Sequence, residues 1–117
     1  MSREPDGFLP LPVAPFHILV ALTDGEKHGY RLMRDVDAQS NGHVKMGPGT
    51  LYGTLKRLCA QGLVEPSVAP RDPGTDDERR RYYRLTDLGA AVCQAEASRL
   101  GGLARTVTRN LKTRVAT

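Results

Sequence analysis

The stretch from Lys45 to Val64, KMGPGTLYGTLKRLCAQGLV, constrains the fold more than any other because it marks both ends of one helix. Pro48 follows Gly47 and suits a first helical position, where the N–H it lacks would have no partner. Leu51, Leu55 and Leu58 recur at helical spacing and form an apolar stripe. Gly62 stands where a left-handed C′ residue belongs, and Leu63 after it can fold back onto Leu58 to close the cap. The other face is read as Thr50, Tyr52, Thr54, Lys56 and Arg57: hydroxyls, a phenol and two cations. That mixture suits phosphate oxygens and base edges in a DNA groove. A solvated helix face is the plainer interpretation of the charges alone. The segments that follow outweigh it.

Upstream, residues 1–14 are rich in Pro and Gly and show no apolar period, which predicts a mostly disordered arm pinned near Phe8 and Leu9. Pro15 opens a first helix to about Leu22 that is apolar on nearly every side. Such a helix is buried twice over, against its own core and, in so small a domain, against a second subunit. Thr23 to Lys27 is a turn. A second helix, Gly29 to Ser40, turns Leu32, Met33 and Val36 inward and stops at Asn41-Gly42, both tolerant of positive φ. Helix, short link, helix is a helix-turn-helix in outline.

Downstream, Leu63 to Val68 reads as a short strand, and Pro66 within it suggests a sheet edge. Residues 69–78 are loop by composition. Arg79 to Leu85 returns as a strand, with Tyr83 inward and Arg80 and Arg84 outward by alternation. The pair is a hairpin with a long charged tip. Thr86-Asp87 starts a last helix, threonine as cap and an acid in the first turn. It reaches about Lys112, roughly 39 Å at 1.5 Å per residue. Leu88, Val92, Leu100, Leu103, Val107 and Leu111 mark a broken apolar stripe, and Gly101-Gly102 invites a bend or a close helix crossing. A helix this long outruns its body, and a second copy of the chain is the simplest cover for the stripe.

Composition narrows the function. At 117 residues the chain makes one domain. Its 17 Lys and Arg against 13 Asp and Glu leave a net charge of +4, compatible with nucleic acid. No apolar run is long enough to span a bilayer, and the N-terminus lacks a signal-peptide layout, which predicts a cytoplasmic protein without a membrane partner. Cys59 and Cys93 are too few for a disulfide framework or zinc site and read as small apolar residues in a reducing compartment. His17, His28 and His43 have no metal-ligand spacing, GPGTLYG lacks the lysine of a P-loop, and no local catalytic motif stands out. No cofactor and no enzymatic activity are expected.

Three segments together resemble the PadR family of transcriptional regulators. They are His28-Gly29-Tyr30; Pro48-Gly49-Thr50-Leu51-Tyr52 with Leu55, Arg57-Leu58 and Gly62-Leu63-Val64; and Arg81-Tyr82-Tyr83-Arg84-Leu85-Thr86 with Gly89. Their order and spacing fit from about residue 15 to 90, and the single last helix looks like the short branch of the family. The resemblance implies a mainly α fold with a small β-hairpin: a winged helix-turn-helix plus a long C-terminal dimerisation helix. In this division, residues 1–14 are a flexible arm, 15–85 the DNA-binding domain and 86–117 the dimerisation helix.

The implied function is that of a homodimeric DNA-binding regulator, a repressor, on a pseudo-palindromic operator. The alternative is a winged-helix module for protein–protein contact. Thr50 and Tyr52 match positions near phosphates, Lys56 the exposed position one turn on, and Tyr30 an aromatic that touches backbone. Lys45, Pro48, Gly49, Thr54 and Arg57 complete the DNA face with Arg79 and Arg80 of the wing. Phe16, Val20, Val92, Leu100, Leu103, Val107 and Leu111 are the expected dimer interface. Two positions depart from the family pattern: Gly47, where serine is common, and Gly53, where proline is. Some short members hold flat apolar ligands between subunits on a tryptophan. This chain has no Trp, and whether a small-molecule effector exists is left open.

Overall fold

The computed structural model describes residues 4–67 and 81–115. Helix α1 spans Val13–Ala21 and buries Ile18, Leu19 and Ala21. A two-residue strand, β1 (Lys27–His28), runs directly into α2 (Gly29–Gln39). The imidazole of His28 caps α2 by accepting a hydrogen bond from the Arg31 amide at 3.2 Å. The helix stops where Asn41 and Gly42 take φ values of 52° and 78°. Helix α3 (Pro48–Ala60) opens on Pro48 behind Gly47, as the residue order requires.

The end of α3 is a Schellman motif. The Leu63 amide donates to the Leu58 carbonyl and the Gly62 amide to the Cys59 carbonyl, each at 3.0 Å, while Gly62 adopts φ 78°. Leu63 is thereby turned into the core beside Leu58, both at most 1% exposed. The chain then pairs β2 (Val64–Ser67) with β3 (Tyr82–Leu85), antiparallel, from Val64 opposite Leu85 to Ser67 opposite Tyr82. The sheet order β1-β3-β2 leaves Pro66 on an edge strand, where a missing amide disrupts no ladder. Tyr83 points into the core.

Helix α4 (Asp87–Val115) begins at a crowded joint. The Thr86 amide donates to the Leu63 carbonyl at 3.1 Å, and its hydroxyl donates to the Gly62 carbonyl at 2.6 Å. That same hydroxyl accepts from the Gly89 amide at 2.9 Å, which makes Thr86 the N-cap. A Cβ on Gly89 would lie 1.9 Å from the Leu63 carbonyl oxygen. Glycine is needed here because two backbones touch. The helix then runs unbroken through Gly101-Gly102.

The N-terminal segment corrects an expectation. Instead of a disordered arm, Pro5–Phe8 form a 3-10 turn packed against α4, and Phe8 and Leu9 rest on the core. The fastening is polar. The Glu96 carboxylate, with its residue 1% exposed, accepts from the Leu11 amide at 2.7 Å and from the Arg99 guanidinium. The Arg99 hydrogen bonds, aided by that amide, hold the Glu96 carboxyl below the usual carboxylate range. A depressed folded-state pKa means stability that is present above the ordinary value near 4.3 and lost as pH falls through the folded value. Acid titration should therefore release the N-terminal segment from α4, and Glu96→Gln should flatten that part of the pH–stability curve. A curve unchanged by the substitution would mean that Glu96 does not fasten the segment.

Ile18, Leu19, Leu32, Val36, Leu51, Leu55 and Leu58 form the centre of the core, none more than 1% exposed. Leu55→Ala should cost about 2–4 kcal/mol of stability by leaving a cavity, read from the urea midpoint. A loss below about 1 kcal/mol would mean that the site collapses around the smaller side chain.

Candidate nucleic-acid interface

Helices α2 and α3, the link between them and the β2–β3 hairpin make a winged helix-turn-helix. Thr50, Tyr52, Lys56 and Arg57 lie exposed along α3, and Lys45, Pro48 and Gly49 lie exposed at its start. Tyr30 is 66% exposed in the first turn of α2. These exposed groups are two phenols, a threonine hydroxyl and three cations, contributed by α2, α3 and the link between them.

Thr54 is not among these exposed groups. It is 1% exposed, and its hydroxyl donates to the Thr50 carbonyl at 2.7 Å. Position 54 lies three residues after Leu51 and four before Leu58, which puts it on the inner stripe. Arg57 Nη2 donates to the Thr54 hydroxyl at 3.4 Å, so this threonine supports a neighbouring cation from within.

Tyr52 is 48% exposed, and its ring lies against the start of α2. A Cβ on Gly29 would lie 2.5 Å from the tyrosine hydroxyl oxygen and 2.8 Å from Cζ, so the phenol occupies the space beside the start of α2. Nothing in the spacing of the two motifs reveals this contact, since residues 29 and 52 lie on different helices.

The wing is only partly described. Arg79 and Arg80 lie outside the described residues, as do Asp76, Asp77 and Glu78. Arg81 is exposed, and Arg84 is tied to Glu65 across the hairpin at 2.8 Å. Tyr82 meets the His28 ring edge-on, with centroids 5.5 Å apart, and so links the wing to the start of α2. His28 also pairs with Tyr82 in the sheet, and the Lys27 ammonium next to it bridges Asp24 and Asp35, which ties β1 to α2. Burial disfavours the charged forms of Lys27 and Asp35, but their mutual hydrogen bond and charges, with Asp24 and Arg31 beside them, outweigh it.

Val92 is also corrected. It is fully buried in the chain's own core, together with the buried Cys93. The first turns of α4 still lie on the body, and the helix leaves it only beyond Glu96. Leu100, Leu103, Val107 and Leu111 are then 38–54% exposed. Phe16 and Val20 of α1 are partly buried against the core. Burial pushes the Cys59 and Cys93 thiols up, so both favour the neutral form expected of packed apolar residues.

Comparison with known proteins agrees with this architecture. Residues 18–95 match the transcriptional regulator PadR-like family. Two curated relatives are each 37% identical. One is an uncharacterized 37.1 kDa protein in transposon Tn4556 of Streptomyces fradiae, matched over 74% of this chain and 22% of that protein. The other is the transcriptional regulator Rv3488 of Mycobacterium tuberculosis, matched over 78% of both. This chain thus spans about a fifth of the first relative and most of the second.

Among solved structures, a PadR-like transcriptional regulator from Bacillus cereus superposes with a TM-score of 0.69 at 24% identity, covering 94% of this chain and 97% of that one. Bacillus subtilis PadR, solved in complex with operator DNA, gives 0.59 at 25% identity over 78% of this chain and 48% of that one. The chain belongs to the PadR-like family of transcriptional regulators, which are not enzymes. Among the described residues, no helix is long and apolar enough to cross a membrane.

Proposed function

We propose that this chain is a cytoplasmic, homodimeric repressor that reads a pseudo-palindromic operator with α3 in the major groove. The observation that carries the reading is the exposed face of Thr50, Tyr52, Lys56 and Arg57, flanked by Tyr30 and Lys45. Such groups hydrogen-bond phosphates and base edges. The operator complex of Bacillus subtilis PadR supports DNA as the partner. The exposed stripe on α4 supports a second copy as the other partner. Two α3 helices related by a dimer axis need half-sites about 10 bp apart or a multiple of that.

The test is selection of duplexes from a random library by the full chain, followed by footprinting. Paired, inverted half-sites are expected. A single unrepeated half-site would count against a symmetric dimer on DNA, and no enrichment would favour the protein–protein alternative. Recruitment of RNA polymerase by the bound chain, in place of its exclusion, would reverse the assignment as a repressor.

The wing enters through its salt dependence. Each lost phosphate contact changes the slope of log K against log salt by about 0.9. Arg79→Ala with Arg80→Ala in both subunits should flatten it by roughly 2–4, with affinity falling on selected and random duplexes alike. An unchanged slope would assign these arginines to the acids of their own loop.

A further inference from the structure

We propose that Gly29 is a positioning residue for DNA binding: its missing side chain leaves the space in which the Tyr52 phenol is seated. The proposal rests on α3 being the DNA-facing helix. Tyr52 is half-exposed, so the core does not orient it. Its hydroxyl oxygen, Cζ and Cε1 would lie 2.5, 2.8 and 3.0 Å from a Cβ on Gly29. The ring thus fills the volume that any other residue at position 29 would claim.

The backbone gives no other reason for glycine here. Gly29 is the first residue of α2 and does not lie in the left-handed region, unlike Gly42 and Gly62. Alanine would be the better helix former. The obstacle to a side chain is also of a particular kind. At Gly89 it is the Leu63 carbonyl, part of the backbone, but at Gly29 it is the end of a tyrosine that can rotate. One added carbon at position 29 therefore moves the phenol and leaves the helices in place. A tyrosine without its seat must be ordered when DNA binds, and that ordering weakens association.

A double-mutant cycle tests the coupling. The full chain would be made as wild type, Gly29→Ala, Tyr52→Ala and the double variant. Affinity would be measured by anisotropy on the duplex that the wild type selects from a random library. Thermal melting and 19F spectra of 3-fluorotyrosine-labelled protein would accompany it, with the Tyr52 resonance identified by its loss in Tyr52→Phe.

Gly29→Ala should weaken binding about five- to thirtyfold, shift the Tyr52 resonance and leave the melting curve nearly unchanged. In the Tyr52→Ala background it should have no further effect on affinity, because the side chain it displaces is gone. Losses that multiply would overturn the proposal, as would an unchanged affinity or a Gly29→Ala protein that unfolds in either background. Failure of the wild type to enrich any duplex is a separate result. It would remove the DNA-binding reading itself, and this proposal with it.

Discussion

Gly89→Ala should destabilise the fold by about 3 kcal/mol or more and lower the melting temperature by at least about 10 °C. The added methyl would sit 1.9 Å from the Leu63 carbonyl oxygen, well inside contact distance, and neither partner is a side chain that can rotate away. Relief requires α4 to lift from the α3–β2 turn. That movement would stretch the Thr86 bonds to Gly62 and Leu63 and loosen Val92 and Cys93 in the core. Gly53→Ala is the control. Nothing lies within 4 Å of a Cβ there, and the position is an exposed helix interior. It should raise stability by up to about 1 kcal/mol. The same added carbon would thus act in opposite directions at two glycines. Equal melting of the two variants would show that the α4 joint is looser than its geometry implies.

Leu103→Asp should abolish self-association. Leu103 is 53% exposed in the single chain, so a carboxylate there is harmless to the isolated fold. Across the proposed dimer seam it would meet its own copy's apolar stripe, and burying an unpaired charge costs several kcal/mol, enough for a loss of more than about a thousandfold in association. Light scattering at micromolar concentration should give twice the 12.8 kDa chain mass for wild type and the chain mass for the variant. Melting of wild type should depend on concentration, and that of the variant should not. A monomeric wild type would sink both the dimer and the symmetric operator.

Local signals were legible in the residues. Pro48, Asn41-Gly42, Gly62 and Thr86 act on their own neighbours, and each stands at the helix end that it marks. Long-range facts were less visible. Strand β1 has only two residues, too short to show alternation, and exists because β3 offers an edge to pair with. The N-terminal segment has no apolar period. It packs on α4 and the core, and a carboxylate 85 positions after Leu11 accepts from the Leu11 amide. Thr54 was misassigned because hydroxyls suggest a polar face, although its distance from Leu51 and Leu58 puts it inside. Val92 belongs to the same stripe as Leu103 by spacing, but spacing does not say where a helix parts from its own body. The seating of Tyr52 on Gly29 depends on how α2 and α3 cross, which neither motif contains.

The joint at Thr86 has a mechanical consequence. Its hydroxyl is bonded to the Gly62 carbonyl at the C-terminal cap of α3, and Gly89 presses the next turn of α4 onto Leu63. These bonds hold the end of α3 and the start of α4 together at this corner. In a dimer joined along the far half of α4, each α4 would act as a lever arm rooted beside α3. Its 29 residues give it a reach of roughly 43 Å. A small change in the angle at which the two arms cross would swing the two reading helices together or apart. Half-site spacing would then be set at the far end of the molecule from the DNA.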